Sequence, residues 1–252
     1  MSQLNLTDII AKRDNKTIYR DGNKCVKFFH KGFSKADVLN EALNLARVEE
    51  TSLNIPKVLE VTMIDDAWVI VYEHIEGKTL TEMIAADPSN VNKYIDLMVD
   101  LQIKVHEQTC PLLTKHRDKM FRKISLTSFD DNIKYELHTH LNGMPRHNKV
   151  CHGDFRPSNI IITPDNTPYI IDWSHATQGN ASADVARTYL VYLLTGQEEN
   201  GAYYINRYCQ LTATPRAYVE KWVRIVAATQ TINSSSKDFA FLSRLVNVVD
   251  FQ

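Results

Sequence analysis

Residues whose types and spacing suit chemistry crowd into one short stretch, HGDFRPSN, positions 152–159, and into the Asp172-Trp173 pair that follows it. Asp154 and Asn159 stand in the D-x-x-x-x-N spacing of a kinase catalytic loop. Phosphoryl transfer requires such a set. It needs a carboxylate beside the acceptor hydroxyl, and oxygen ligands for a Mg²⁺ ion that bridges nucleotide phosphates. Apolar runs at 160–163 and 169–171 flank Pro164-Asp165-Asn166 and read as a hairpin. That hairpin would fold the chain back and return Asp172 to the cleft of Asp154 and Asn159, ready to chelate metal. Further upstream, Lys27 sits in CVKFF, a β-prone run in which a lysine is costly to bury unpaired.

The elements that must position these groups follow from pattern. Runs at 17–20 and 25–29 are split by Asp21-Gly22-Asn23, a strong hairpin signal because these residues tolerate positive φ. SKADVLNEALNLARVEE reads as a helix with Ser34 as N-cap and Val38, Leu39, Ala42, Leu45 and Ala46 at helical spacing. Strand character returns at 58–64 and 68–74 around Asp65-Asp66. After Gly77 the texture turns helical. Ile95, Met98, Val99, Leu101, Ile103 and Val105 form a broad apolar helix face. Two more helices run to about Leu141, Asn142-Gly143-Met144-Pro145 breaks the pattern, and helix resumes from about Ala181 to the C-terminus. A small strand-rich half with one helix thus precedes a larger helical half with an inserted hairpin. The expected division is 1–77 and 78–252.

The sequence resembles the aminoglycoside phosphotransferase and choline kinase family, relatives of protein kinases. His-Gly-Asp, four residues, Asn, then a strand ending in Asp-Trp is that family's hallmark, and 152–159 with 171–173 carry it. The resemblance implies an α+β, two-lobed protein-kinase-like fold. Its N-lobe is a small antiparallel sheet with one main helix that binds nucleotide. Its C-lobe is larger, mostly helical, and carries the catalytic loop and substrate site. Asp154 becomes the catalytic base or acceptor-orienting group, Asn159 and Asp172 the Mg²⁺ ligands, and His152 a brace for the loop. GNASADVARTY resembles the family's Gly-x-x-x-x-Asp segment, in which Asp184 would hold the loop by hydrogen bonds. Lys27 becomes the lysine on the α/β-phosphates and Glu41 its ion-pair partner, with Glu49 and Glu50 as rivals near the helix end. Backbone groups of Glu73 and Ile75, in VYEHIEG, would bond adenine. The nucleotide is ATP, with GTP possible.

Two positions depart from the family. DIIAKRDNKTIYR has no glycine where a phosphate-covering turn belongs. Asn15 supplying a positive φ, charge from Lys12, Arg13 and Lys16, and a plain exposed basic turn are the readings open there. Arg156 occupies a position that is often histidine in the family and lysine in protein kinases. It either steadies the transferring phosphoryl or pairs with a neighbouring carboxylate.

Bulk properties exclude other classes. The 252 residues suffice for a sizeable core, and 44% hydrophobic with 23% charged residues is ordinary for a globular protein. A formal net charge of -1 gives no general pull toward nucleic acid or anionic membrane. No secretion signal or membrane-spanning run is visible, so the expected location is the cytoplasm, with the four scattered cysteines reduced. Cys151 reads as a buried small hydrophobe rather than a nucleophile, and His138, His140 and His147 as an exposed helix end rather than a metal site. The expected activity is ATP-dependent transfer of the γ-phosphoryl group to a hydroxyl of an aminoglycoside, amino alcohol or sugar-like acceptor. Asp130, Asp131, Glu136, Glu198 and Glu199 are the candidates to receive a cationic acceptor. The alternatives are a protein Ser/Thr kinase-like enzyme and a non-catalytic nucleotide-binding pseudokinase. Against the first, Trp173-Ser174 replaces Phe-Gly and no Ala-Pro-Glu segment follows.

Overall fold

The structure, a computed structural model, describes residues 4–13 and 15–247. Asp14, in the basic turn, and 248–252, the end of the expected helical tail, lie outside the described residues.

Strands β1 (Asp8–Arg13), β2 (Lys16–Asp21) and β3 (Lys24–Phe29) lead into helix α1 (Lys35–Val48), then β4 (Val58–Ile64) and β5 (Ala67–Glu73). Strand β6 (Lys78–Thr79) and helices α2 (Leu80–Ala86), α3 (Val91–Glu107), α4 (His116–Leu126) and α5 (Asp131–Gly143) follow. Next come β7 (Lys149–Cys151), β8 (Ile160–Ile162), β9 (Pro168–Ile170) and β10 (Thr177–Gly179). The described chain closes with α6 (Ala181–Leu194), α7 (Glu198–Thr212), α8 (Arg216–Gln230) and α9 (Ser236–Asn247).

Two compact units result. One holds 1–83 with 157–175, and the other 84–156 with 176–252. The 157–175 segment, expected with the helical half, is grouped with the strand-rich unit because β8 pairs with β6 and Ile170 donates its N–H to Asn54 at 3.0 Å.

In the first unit the sheet is antiparallel in the order β1-β2-β3-β5-β4. Its turns are set by residues that accept positive φ: Gly22 at 60°, and Asp65 and Asp66 at 49° and 63°. Strand β1 was not legible because all six of its residues are exposed, which leaves no alternation to read. One sheet face packs Phe29 and Ile70 against Val38 and Ala42 of α1. The helix face differs from expectation: Leu39 and Ala46 are exposed, and Asn44 and Val48 are buried in their place. Ser34 holds the N-cap position without a side-chain capping bond.

The second unit is built on helices. Ile95, Met98, Val99, Leu101 and Val105 of α3 are buried as expected, whereas Ile103 is half-buried. Two polar residues of the same helix, Gln102 and His106, are buried with them. Among the described residues no helix is long and apolar enough to cross a membrane.

Candidate active site

In the first unit the site starts from Lys27 in the middle of β3. Its apolar neighbours Val26 and Phe28 belong to one core cluster, and Lys27 itself is 2% exposed. An ammonium this deeply buried requires partners. Lys27 Nζ makes a short ion pair with Glu41 Oε1 and lies 3.2 Å from Asp172 Oδ1. Burial lowers the Lys27 pKa, but the charges of Asp172 and Glu41 outweigh it and the net shift is upward. The neighbouring Lys16 moves the other way, lowered by burial first and by the positive charge of Lys27 second. Of the three basic candidates in the glycine-free turn, Lys16 interacts with the Lys27 cluster and Arg13 lines the same cavity as Lys27. The rivals of Glu41 are engaged elsewhere or exposed: Glu49 Oε1 accepts the Val58 N–H at 2.7 Å, and Glu50 faces solvent.

Asp172 does not end a strand as expected. Strand β9 stops at Ile170, and Asp172 sits two residues later at φ 63°, a conformation aspartate tolerates better than bulkier residues. Several bonds fix this turn. Ile171 N–H donates to the Asn159 carbonyl at 2.9 Å, Trp173 Nε1–H to the Ile170 carbonyl at 2.9 Å, and Ser174 Oγ–H to Asp172 Oδ1 at 3.1 Å. Asn44, buried in α1, donates to the Ser174 carbonyl at 3.3 Å and so ties the turn to the helix that carries Glu41.

Lys27, Glu41, Glu73, Ile75, Asn159 and Asp172 all line one cavity of about 390 Å³ in this unit. Its walls combine Ile10, Ile18, Ile70 and Ile161 with these charged groups, the usual build of a small-molecule pocket. Glu73 closes β5, with its N–H donated to the Lys57 carbonyl at 3.0 Å. Ile75 lies beyond the ladder. Gly77 packs closely against β8. A Cβ there would stand 2.4 Å from the Ile162 carbonyl oxygen. Among the described residues no three His, Cys, Asp or Glu side chains converge on a metal-binding cluster. An Asn–Asp pair in a shared cavity nevertheless fits Mg²⁺, which takes few protein ligands and keeps several waters.

In the second unit β7 delivers the chain into His152-Gly153-Asp154. The loop is hung from Asp184 in the first turn of α6, which accepts the N–H groups of His152 at 3.1 Å and Gly153 at 2.7 Å. His106 Nε2 bonds the same carboxylate at 3.1 Å and Gln102 Nε2 at 3.4 Å. Burial pushes the Asp184 pKa up. The His106 hydrogen bond, the charges of His106 and His152 and the Gly153 N–H overcome that and hold it below the ordinary carboxylate range. His152 Nδ1 accepts the Asp154 N–H at 3.2 Å, and Thr188 Oγ1 donates to the Phe155 carbonyl at 2.8 Å, so both sides of Asp154 are pinned.

Asp154 itself stands between two guanidinium groups. Arg156 Nε lies 3.1 Å from Oδ2 and Arg187 Nη2 3.4 Å from Oδ1. The Arg156 Nε contact lacks the alignment of a hydrogen bond and leaves that buried N–H without a partner. Of the two readings of Arg156, the pairing with a carboxylate is therefore present in this structure. Arg187 escaped sequence reading. The available signal was its position three residues after Asp184 on α6, which puts both on one side of the helix. Gln102 and His106, four apart on α3, offered the same kind of signal for the network beneath the loop.

Other candidates resolve simply. Burial raises the Cys151 thiol well above its usual range, in keeping with a small core residue. His147 is exposed, and His138 and His140 are half-buried on α5. Asp130 caps α5 by accepting the N–H groups of Asn132 and Ile133, and Glu136 pairs with Arg224 at 2.7 Å. Asp131, Glu198 and Glu199 are exposed in the first turns of α5 and α7. These acids serve helix ends and surface pairs.

An antiparallel sheet with one main helix, followed by a larger helical region that carries an Asp-hung HGD loop, defines a kinase-like phosphotransferase. The sequence profile of the phosphotransferase enzyme family (APH) matches residues 6–219, and the chain belongs to that family. It is a phosphotransferase with an alcohol group as acceptor. No curated protein matches it in sequence. Among solved structures it is similar to a thermostable mutant of the aminoglycoside phosphotransferase APH(4)-Ia in its apo form. The two share 16% identity over 94% of this chain and 91% of that one, with a TM-score of 0.68. The choline kinase LicA from Streptococcus pneumoniae shares 16% identity over 96% and 93%, with a TM-score of 0.65. Aminoglycoside-3'-phosphotransferase of type VIII shares 15% over 90% and 93%, with a TM-score of 0.64. At these identities the likeness establishes the protein-kinase-like fold.

Proposed function

We propose that this chain is an ATP-dependent small-molecule kinase that transfers the γ-phosphoryl group to a hydroxyl, with GTP as the alternative donor. One observation carries the reading. Six residues from five separate stretches, Lys27, Glu41, Glu73, Ile75, Asn159 and Asp172, line a single cavity whose walls combine apolar and charged groups. Relatives of this fold have been solved with AMP-PNP and hygromycin B, and with AMP.

In this reading the Glu73 carbonyl and the Ile75 N–H bond the adenine edge. Lys27, oriented by Glu41, meets the α/β-phosphates, and Lys16 adds charge where a glycine-rich loop is missing. Asn159 and Asp172 hold Mg²⁺, which neutralises charge on the phosphates when bound. Asp154 orients the acceptor hydroxyl and receives its proton as the new O–P bond forms and the bond to ADP breaks. Arg156 steadies the transferring group. The first unit thus supplies the nucleotide half of the chemistry and the second the acceptor half. Of the acceptors considered, a sugar-like alcohol is favoured over an aminoglycoside or amino alcohol, because Asp130 caps α5, Glu136 pairs with Arg224, and Asp131, Glu198 and Glu199 are exposed to solvent in the first turns of their helices.

The test is equilibrium titration of the purified chain with ATP and GTP, with and without Mg²⁺, alongside release of ADP in the presence of pooled alcohols. Nucleotide binding strengthened by Mg²⁺ is expected. A chain that binds neither nucleotide under any of these conditions would falsify the reading.

A further inference from the structure

The second unit holds a cavity of its own, of about 190 Å³, which shares no residue with the one lined by Lys27. The first turn of α4 forms one wall. The chain after α5, strand β10 and Trp222 of α8 form the others.

Three features of this cavity point to a ligand. The first is His116, which lines it and is 6% exposed. Neither nitrogen of its ring has a hydrogen-bond partner among the described residues. A polar ring buried this far is ordinarily satisfied by protein or by ordered water. The ring is also tightly seated. A Cβ on Gly179 would collide with the His116 Cβ, and the Trp222 ring meets the imidazole edge to face with centroids 6.0 Å apart. Burial brings the His116 pKa down to about 4 against the pull of Asp184, so the ring is neutral at pH 7 and offers one N–H and one lone pair. Trp222 Nε1–H, buried beside it, has no acceptor either.

The second feature is the start of α4. Lys115 holds the N-cap position without a side-chain capping bond. The N–H groups of a first turn have no acceptor within their helix, and they carry the positive end of its dipole. The third feature is charge. Lys115, Arg117 and Arg146 face one acid, Asp118, around the lining. Arg117 also braces the wall, with Nη1 donating to the Leu141 carbonyl at 2.9 Å.

A helix start backed by cations receives oxyanions and is a poor seat for a metal ion or an amine. The volume sets the size. Pockets for drug-sized ligands span roughly 300–1,000 Å³, so this smaller one suits a small anion rather than a nucleotide.

We propose that this cavity is a second ligand site that takes a small oxyanion, a carboxylate or a phosphate. The N–H groups that open α4 and the His116 imidazole donate hydrogen bonds to it, and Lys115 and Arg146 supply the countercharge. The site stands apart from the phosphotransferase reading and is tested without turnover.

The test is calorimetric titration of the full chain with inorganic phosphate and, separately, with acetate at matched ionic strength. Wild type should bind at least one of them, and H116F and K115Q/R146Q should each bind it roughly tenfold more weakly. H116F keeps an aromatic ring against Gly179 and Trp222, and K115Q/R146Q alters exposed side chains alone, so both should keep the wild-type Tm. If H116F nevertheless melts early, K115Q/R146Q decides alone. Tighter binding of phosphate than of acetate assigns a phosphate-bearing ligand, and the reverse assigns a carboxylate. Binding as tight in the folded variants as in wild type places the anion elsewhere and overturns the proposal. Absence of binding of either anion up to about 10 mM overturns it as well.

Discussion

The two units solve opposite electrostatic problems at their functional residues. In the first, one buried cation, Lys27, is shared by two carboxylates, Glu41 and Asp172. In the second, one carboxylate, Asp154, is shared by two guanidinium groups, Arg156 and Arg187. A lone buried lysine needs acids to remain charged. A carboxylate between two guanidinium groups is steadied by both of its oxygens. The difference teaches that the same ion-pair chemistry steadies a buried cation in one unit and a carboxylate in the other, according to which sign is in surplus.

The strongest way to break this comparison is at Asp154. Asp154→Asn should lower kcat by roughly 10²–10⁴-fold while nucleotide affinity holds, because the oxygen that receives the hydroxyl proton is lost and the first unit is untouched. A variant keeping more than about a tenth of wild-type kcat would leave Asp154 as a partner for arginines and nothing more.

Next in size is Asp184→Asn, measured as stability. A buried carboxylate that accepts two loop N–H groups and a histidine bond should cost about 3 kcal/mol when neutralised, because its partners lose a charged acceptor. The sign with pH follows from its lowered folded-state pKa. The stabilisation is full above the unfolded value, about pH 4, and fades as pH falls below it. Chemical denaturation from pH 7 to pH 3 should show a loss in wild type toward acid that is shallower in the variant. Identical slopes would mean that Asp184 is not held ionised by the loop.

Lys27→Ala and Glu41→Ala sharpen the first-unit side. Each should reduce kcat/KM for ATP by roughly 10-fold to 100-fold, and the double variant should be no worse than the poorer single, since residues acting as a unit are non-additive. Additive losses would separate Glu41 from the function of Lys27.

The smallest expected effect is on metal linkage. Asp172→Ala should reduce the Mg²⁺ enhancement of ATP affinity by about an order of magnitude and leave metal-free binding nearly as it was, as suits an ion that relies on few protein ligands. If the variant keeps the whole enhancement, Asp172 serves Lys27 and the turn alone.

Periodicity and punctuation alone specify much of this molecule. Asp-Gly and Asp-Asp between β-prone runs set the two hairpins of the main sheet, because those residues accept positive φ at low cost. The 152–159 motif and Asp172 mark the candidate catalytic stretch, because phosphoryl transfer restricts residue types and their spacing. Glu41 as the partner of Lys27 came from the family resemblance, and the ion pair between them is present in the structure. Tertiary structure decided the rest. Strand β1 exists because an exposed edge pairs with β2, and no burial pattern marks it. Leu39 lies outside the core and Asn44 inside it because Asn44 finds the Ser174 carbonyl, a partner 130 residues away. Arg187 reaches the Asp154 loop from helix α6, a separate element. Local propensity acts over a few residues, whereas charge and hydrogen-bond satisfaction in a buried site are settled by whichever groups the fold brings within about 3–4 Å.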